Sequence, residues 1–280
     1  MERAVPRPGA ATRPVDLLAA IGRIPWLYVL TAQALLFLFF PILMVMLFSF
    51  NEGTTTRFPI RALTLNWYRV ALRNQVVLDG LRNSVYVGIG TMLASALLGV
   101  PAALALTRYR VGGRAAAALS SFFILPLAVP VLILAVALLT LLSTLALPLS
   151  LATVVIGHTM YCVPLMFLVI TARLRDMDRF IEEAARDLGA SRWRTFWEVT
   201  FPLIRSSIFG AMLLVFAQSF DMFVITVFTI GPQSTLPLVV WSMLRTGINP
   251  SINAISTLLI LVTAVILVVA SRFTRIALDR

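Results

Sequence analysis

Lysine is absent from these 280 residues, so all 23 basic residues are arginine. Histidine and cysteine occur once each, as His158 and Cys162, and only 12 residues are acidic. Each scarcity removes a class of chemistry. No glycine-rich loop ending in Gly-Lys is available to cradle nucleotide phosphates, so this sequence lacks the P-loop signature of an ATPase. One cysteine, set in an apolar run, rules out an intrachain disulfide and a thiolate metal cluster, and Cys162 reads as a packing residue. An intramembrane enzyme needs an activated nucleophile, paired acids or a metal site, and one His, one Cys and one acid within apolar segments do not supply them. The chain is therefore expected not to be an enzyme and to hold no metal or cofactor of its own.

What the sequence does contain is apolar side chain. It is 60% hydrophobic and 12% charged, with a mean hydropathy of +0.95, well beyond the apolar share of soluble domains. The solvent this composition suits is lipid. At roughly 20 apolar residues per span, the length allows about six spans and no large soluble domain. The expected fold is all-α: a tail over 1–25, then one membrane domain over 26–280. The net charge of +11 is spread, with no basic run, which argues against nucleic acid and for headgroup contacts and topology signals.

The first span is expected from Trp26 to Phe50, after a tail with four prolines in which a short interfacial helix is expected over Val15–Ile21. A polar connection follows, with a short amphipathic helix over Leu63–Leu72. The second span, Ser84–Leu106, is rich in Gly and Ala, which lets helix backbones approach closely and predicts a central position. The third, Ala116–Leu142, contains Pro126 and Pro130 and should kink or break. The fourth covers Leu151–Thr171, the fifth Ser207–Phe228, and the sixth Ile255–Ala270. With a cytoplasmic N-terminus, 17 of the 23 arginines fall on the cytoplasmic side, so both termini are expected there.

The most polar stretch is 172–205. Within it Ile181, Ala184, Ala185 and Leu188 fall at i, i+3, i+4 and i+7 and make an apolar stripe. Asp178 is placed to cap that helix, and Gly189 to end it in the left-handed conformation. Ser191 can cap a second helix whose Trp193, Phe196 and Trp197 share a face, with Pro202 ending it. The residues alone allow two readings: a helix pair lying in the headgroups, or a docking element whose small Ala184/Ala185 surface enters a groove on a soluble partner.

The run Glu183-Ala184-Ala185, three residues, Gly189, nine residues, then Val199-Thr200-Phe201-Pro202 resembles the EAA signature of permease subunits in binding-protein-dependent ABC importers. Phe201 stands where that family has Leu, an apolar exchange. The resemblance implies a type I importer permease fold, working with a second permease subunit, two ATPase subunits and an external substrate-binding protein. By it, Glu183, Ala184, Ala185 and Gly189 would contact the ATPase. A closer resemblance, to the spermidine/putrescine permease group, rests on Leu65-Asn66-Trp67-Tyr68, Asn83-Ser84, Ser219-Phe220-Asp221, Phe223-Val224-Ile225-Thr226, Leu236-Pro237 and Trp241-Ser242-Met243. It implies a polyamine cargo; permeases for iron, sulfate, thiamine or aminophosphonate share much of the pattern.

Asp221 is the one acid inside an expected span. An intramembrane carboxylate costs about 2.5–3.5 kcal/mol on insertion scales, so it faces protein or water rather than lipid. It reads either as a pathway group attracting a cationic cargo, or as a carboxylate bonded to a neighbouring helix or near enough to the interface to be hydrated. His158 reads as a packing hydrogen-bonder. From another class, an ion-coupled secondary carrier stays as the rival, since the proline-interrupted span resembles half-helices, although no repeat is evident and a carrier does not need the EAA loop.

Overall fold

The computed structural model describes residues 25–53, 58, 60, 62–108, 113–246 and 250–278; the tail and its expected short helix over Val15–Ile21 lie outside them. Among the described residues the fold is helical apart from an isolated β-bridge between Asn51 and Leu63, with five helices long and apolar enough to span a membrane, or six spans where a bent pair counts as one.

Helix α1 (Pro25–Phe48) stands at the edge of the bundle, packed on the last helix and otherwise uncovered, with Phe37 79% exposed. Its apolar character all round fits a lipid-facing or subunit-facing position. The short α2 (Asn66–Arg73) follows, shifted a few residues from its expected place. It is tied to the end of α1, where Trp67 Nε1 donates to the Asn51 carbonyl at 2.8 Å and the Ser49 and Tyr68 hydroxyls meet at 2.6 Å.

Helix α3 (Gln75–Arg108) has 34 residues and starts nine before the expected second span. Its buried face is small: Ser84, Gly88, Thr91, Ser95, Gly99 and Ala103. A β-carbon on Gly99 would sit 2.8 Å from Met166 Cγ and 3.3 Å from the Phe167 amide nitrogen, so the close approach requires glycine. Gly99→Leu is expected to separate the helices and lose about 1–3 kcal/mol to overpacking, read as a lowered midpoint in thermal unfolding of the purified chain.

The expected third span is broken. Helices α4 (Gly113–Ala128) and α5 (Val131–Thr144) meet at 100°, with Pro130 at the break. Pro126 lies inside α4 without ending it, so only the second proline breaks the helix. Helix α6 (Leu151–Asp176) is the most enclosed, opening on a capping box between Ser150 and Thr153. Met166, Phe167, Ile170 and Leu174 on α6 form the core with Leu134 and Leu138 of α5 and Ile204 and Val215 further on.

Three expectations need correction. The fifth span is α9 (Phe201–Phe220); it stops eight residues early, and a separate α10 (Val224–Thr229) follows. Pro202 does not end a helix: Arg192 to Phe220 runs on as one rod. A π turn over Phe196–Thr200, in which the Phe201 amide donates to the Phe196 carbonyl, widens the backbone just ahead of the proline's missing donor. The loop after the fifth span contains an eleven-residue apolar helix, α11 (Leu236–Thr246), seated on the start of α3 where the Leu236 amide donates to Ser84 Oγ at 2.9 Å. The last helix, α12 (Ser251–Leu278), starts four residues before its expected place.

Candidate functional site

The 172–205 stretch folds into a compact element at one end of the bundle. Helix α7 (Arg179–Asp187) begins where the Asp178 carboxylate accepts from the Phe180 amide at 2.9 Å. It ends at Gly189, whose φ of +89° is a conformation that L side chains rarely adopt. There the Ala190 amide reaches the Ala185 carbonyl at 3.0 Å and the Gly189 amide the Arg186 carbonyl at 2.9 Å, the paired bonds of a Schellman motif. Ser191 then caps α8 (Arg192–Thr195), accepting from the Arg194 amide at 3.2 Å, and α8 leads through the π turn into α9. Both caps and the glycine stop thus sit where the sequence places them.

The faces of α7 reverse the usual arrangement of an amphipathic helix. Its apolar stripe is uncovered: Phe180 is 74% and Leu188 90% exposed, and Ile181 and Ala184 are exposed as well. Of the four residues assigned to a partner contact, Glu183, Ala184 and Gly189 are exposed and Ala185 is half-buried. Trp193, 71% exposed, packs edge-on against Trp197 at 5.5 Å.

What faces inward is charged. Glu182, 4% exposed, pairs with Arg108 Nε at 3.0 Å and accepts from the Thr200 hydroxyl at 2.8 Å. Arg179 donates to the Thr107 carbonyl and Arg108 to the Met177 carbonyl. Sequence reasoning picked Glu183 from the adjacent acids and missed Glu182. The available signal was phase: Arg179, Glu182 and Arg186 fall at i, i+3 and i+7, a charged stripe off the apolar one.

Asp221 is not inside a helix. It is the C-terminal cap of α9, at the break before α10, and its carboxylate is exposed. Thr263 of α12 donates to both its oxygens, at 3.2 and 3.1 Å. His158 on α6 holds the break: Nδ1 lies 2.8 Å from the Ser219 hydroxyl before it and Nε2 2.9 Å from the Thr226 hydroxyl after it. The Thr226 hydroxyl proton goes to the Met222 carbonyl, so Nε2 is the donor to Thr226 and, in the neutral ring, Nδ1 accepts from Ser219. Phe223 and Trp241, near the same break, pair at 5.3 Å between ring centroids. No group of three or more His, Cys, Asp or Glu able to hold a metal occurs among the described residues.

Residues 95–280 match the family described as the binding-protein-dependent transport system inner membrane component. The putrescine transport system permease protein PotI of Escherichia coli K12 is 34% identical over 86% of this chain and 87% of its own length. The spermidine/putrescine transport system permease protein PotC of the same strain is 30% identical, over 84% and 88%. Among solved structures, a bacterial ABC transporter involved in import of the acidic polysaccharide alginate contains a chain that superposes with a TM-score of 0.70 at 17% identity, covering 94% of this chain and 99% of that one. The MetNI methionine ABC transporter gives 0.60 at 16%, over 72% and 96%. At these identities the structures speak to the fold alone.

Proposed function

This chain belongs to the family of inner-membrane components of binding-protein-dependent transport systems and is an importer permease; from that premise we propose that it forms half of a polyamine translocation pathway and is driven through α7. The observation that carries the coupling reading is the uncovered apolar surface of α7 and α8, with Leu188 90% exposed on a helix otherwise fixed by caps and buried charge. A surface of small residues ringed by charge suits a groove on a soluble protein. Glu183, Ala184, Ala185 and Gly189 make the contact with an ATPase subunit, one of two, while a second permease completes the pathway and an external binding protein delivers the cargo.

The arginine distribution supports a cytoplasmic position for this element and for both termini. The permease itself performs no chemistry and binds no cofactor; ATP is held by the partner. Putrescine or spermidine as cargo is supported by the names of the two relatives and by an exposed carboxylate, Asp221, at the broken fifth span. A carboxylate is the group that attracts an ammonium in a poorly screened passage.

The test is ATPase stimulation in a reconstituted complex, using binding proteins loaded in turn with putrescine, spermidine, ferric iron or an aminophosphonate. Stimulation by the polyamine-loaded protein is expected. Stimulation by another cargo keeps the importer and rejects the polyamine, and failure to recover any ATPase with the chain rejects the role given to α7.

A further inference from the structure

Three segments far apart in sequence meet at one buried carboxylate. Glu182 belongs to α7, Arg108 is the last residue of α3, and Thr200 closes the π turn at the head of α9. The side chains of Arg108 and Glu182 are 10% and 5% exposed, and Arg108 Nε lies 3.1 Å from one carboxylate oxygen and 3.0 Å from the other. The oxygen at 3.1 Å also accepts from the Thr200 hydroxyl at 2.8 Å. Arg108 continues to the Met177 carbonyl at 3.4 Å, just ahead of α7, and Arg179, the first residue of α7, donates to the Thr107 carbonyl. These bonds run from α7 and Met177 just ahead of it to the ends of spans, while Ile181, Ala184 and Leu188 of its apolar stripe are exposed.

We infer that the Arg108–Glu182 pair, closed by Thr200, is a rigid joint through which α7 moves as one body with the adjoining ends of α3 and α9. Separating a buried ion pair strands a charge in a poorly solvated place, which resists sliding far more than apolar contact does. The π turn interrupts the regular α-helical bonding of the rod from Arg192 to Phe220, and Thr200 pins that turn to Glu182. A push on the outward face of α7 is then delivered to the second and fifth spans together rather than absorbed in the loop. Arg108, Glu182 and Thr200 are positioning residues; none belongs to the outward surface.

The inference rests on α7 being the ATPase contact, so the experiment separates the two. Spin labels are placed at Asp187→Cys on α7, outside the assigned contact residues, and Leu97→Cys on α3, both exposed, leaving the fully buried Cys162 in place. Distances are measured in the complex assembled with its ATPase, without nucleotide and trapped with ATP and vanadate. With the joint intact, the distance between labels is expected not to shift on trapping. In Glu182→Gln and Arg108→Gln it is expected to shift and broaden on trapping, with the ATPase still recovered at an undiminished ratio. Thr200→Val, which keeps the shape and removes one hydrogen bond, is expected to show a smaller shift and guards against misfolding of the charge variants. Exchange of the pair, Arg108→Glu with Glu182→Arg, re-forms the ion pair but leaves Thr200 without its carboxylate acceptor, and is expected to reduce the shift to that of Thr200→Val, which a general loss of packing would not allow. A nucleotide-dependent shift in the unsubstituted chain, or none in any variant, overturns the joint. Loss of ATPase from Ile181→Asp, on the outward stripe, supports the docking reading by itself, and its retention there rejects that reading whatever the labels show.

Discussion

Gly189→Val is expected to cut recovery of the ATPase with the purified chain by roughly 5- to 100-fold, while Gly189→Asn is expected to retain most of it. The two substitutions separate conformation from bulk. At φ +89° a β-branched residue is forced from its allowed regions, at about 1–3 kcal/mol, and each 1.4 kcal/mol is a tenfold change in affinity if the strain falls on the docked state. Asparagine visits the left-handed region readily and ends helices there. A β-carbon at this position meets no atom within 4 Å, so within the chain the demand is conformational. Valine is expected to undo the paired bonds from Gly189 and Ala190 to Arg186 and Ala185, and with them the end of α7 that carries Leu188. Equal loss in both variants would place the sensitivity in crowding against the partner, and equal retention would remove Gly189 from the contact.

The parts of this site that were legible in sequence are those set by neighbours along the chain. Asp178, Gly189 and Ser191 could be placed because capping depends on residues two or three apart. The small face of α3 was legible for a related reason: in lipid, close packing needs small side chains whatever the partner is. The Arg108–Glu182 pair spans 74 residues, and nothing local distinguishes Glu182 from Glu183 except helix phase. The break at Asp221 was invisible because Ser219-Phe220-Asp221-Met222-Phe223 contains neither proline nor glycine. It is held by His158 from another helix, and so is a tertiary feature rather than a local one. Helix α11 was missed because eleven residues cannot cross a membrane and the fit of Leu236 to Ser84, 152 positions away, leaves no local pattern.

Asp221→Asn is expected to lower polyamine uptake about tenfold, equivalent to about 1.4 kcal/mol, with no change in the amount of complex assembled. The carboxylate has acceptor capacity for several donors, yet among the described residues its hydrogen bonds come from the single Thr263 hydroxyl. It is therefore poorly neutralised where it stands, on an exposed surface at a break between helices. Two unit charges 4 Å apart attract by about 4 kcal/mol at an effective dielectric of 20, and dehydrating the ammonium offsets part of this. Asparagine keeps the shape and still accepts from Thr263, so the break and its His158 brace stay intact and only the charge is lost. The companion variant Thr263→Val decides between the two readings of this acid. If Asp221 serves to tie α9 to α12, removing the threonine hydroxyl should reproduce the asparagine defect. If it attracts a cation, freeing the carboxylate should leave uptake unimpaired. Full uptake in Asp221→Asn would take Asp221 out of the pathway and leave polyamine selection to the binding protein.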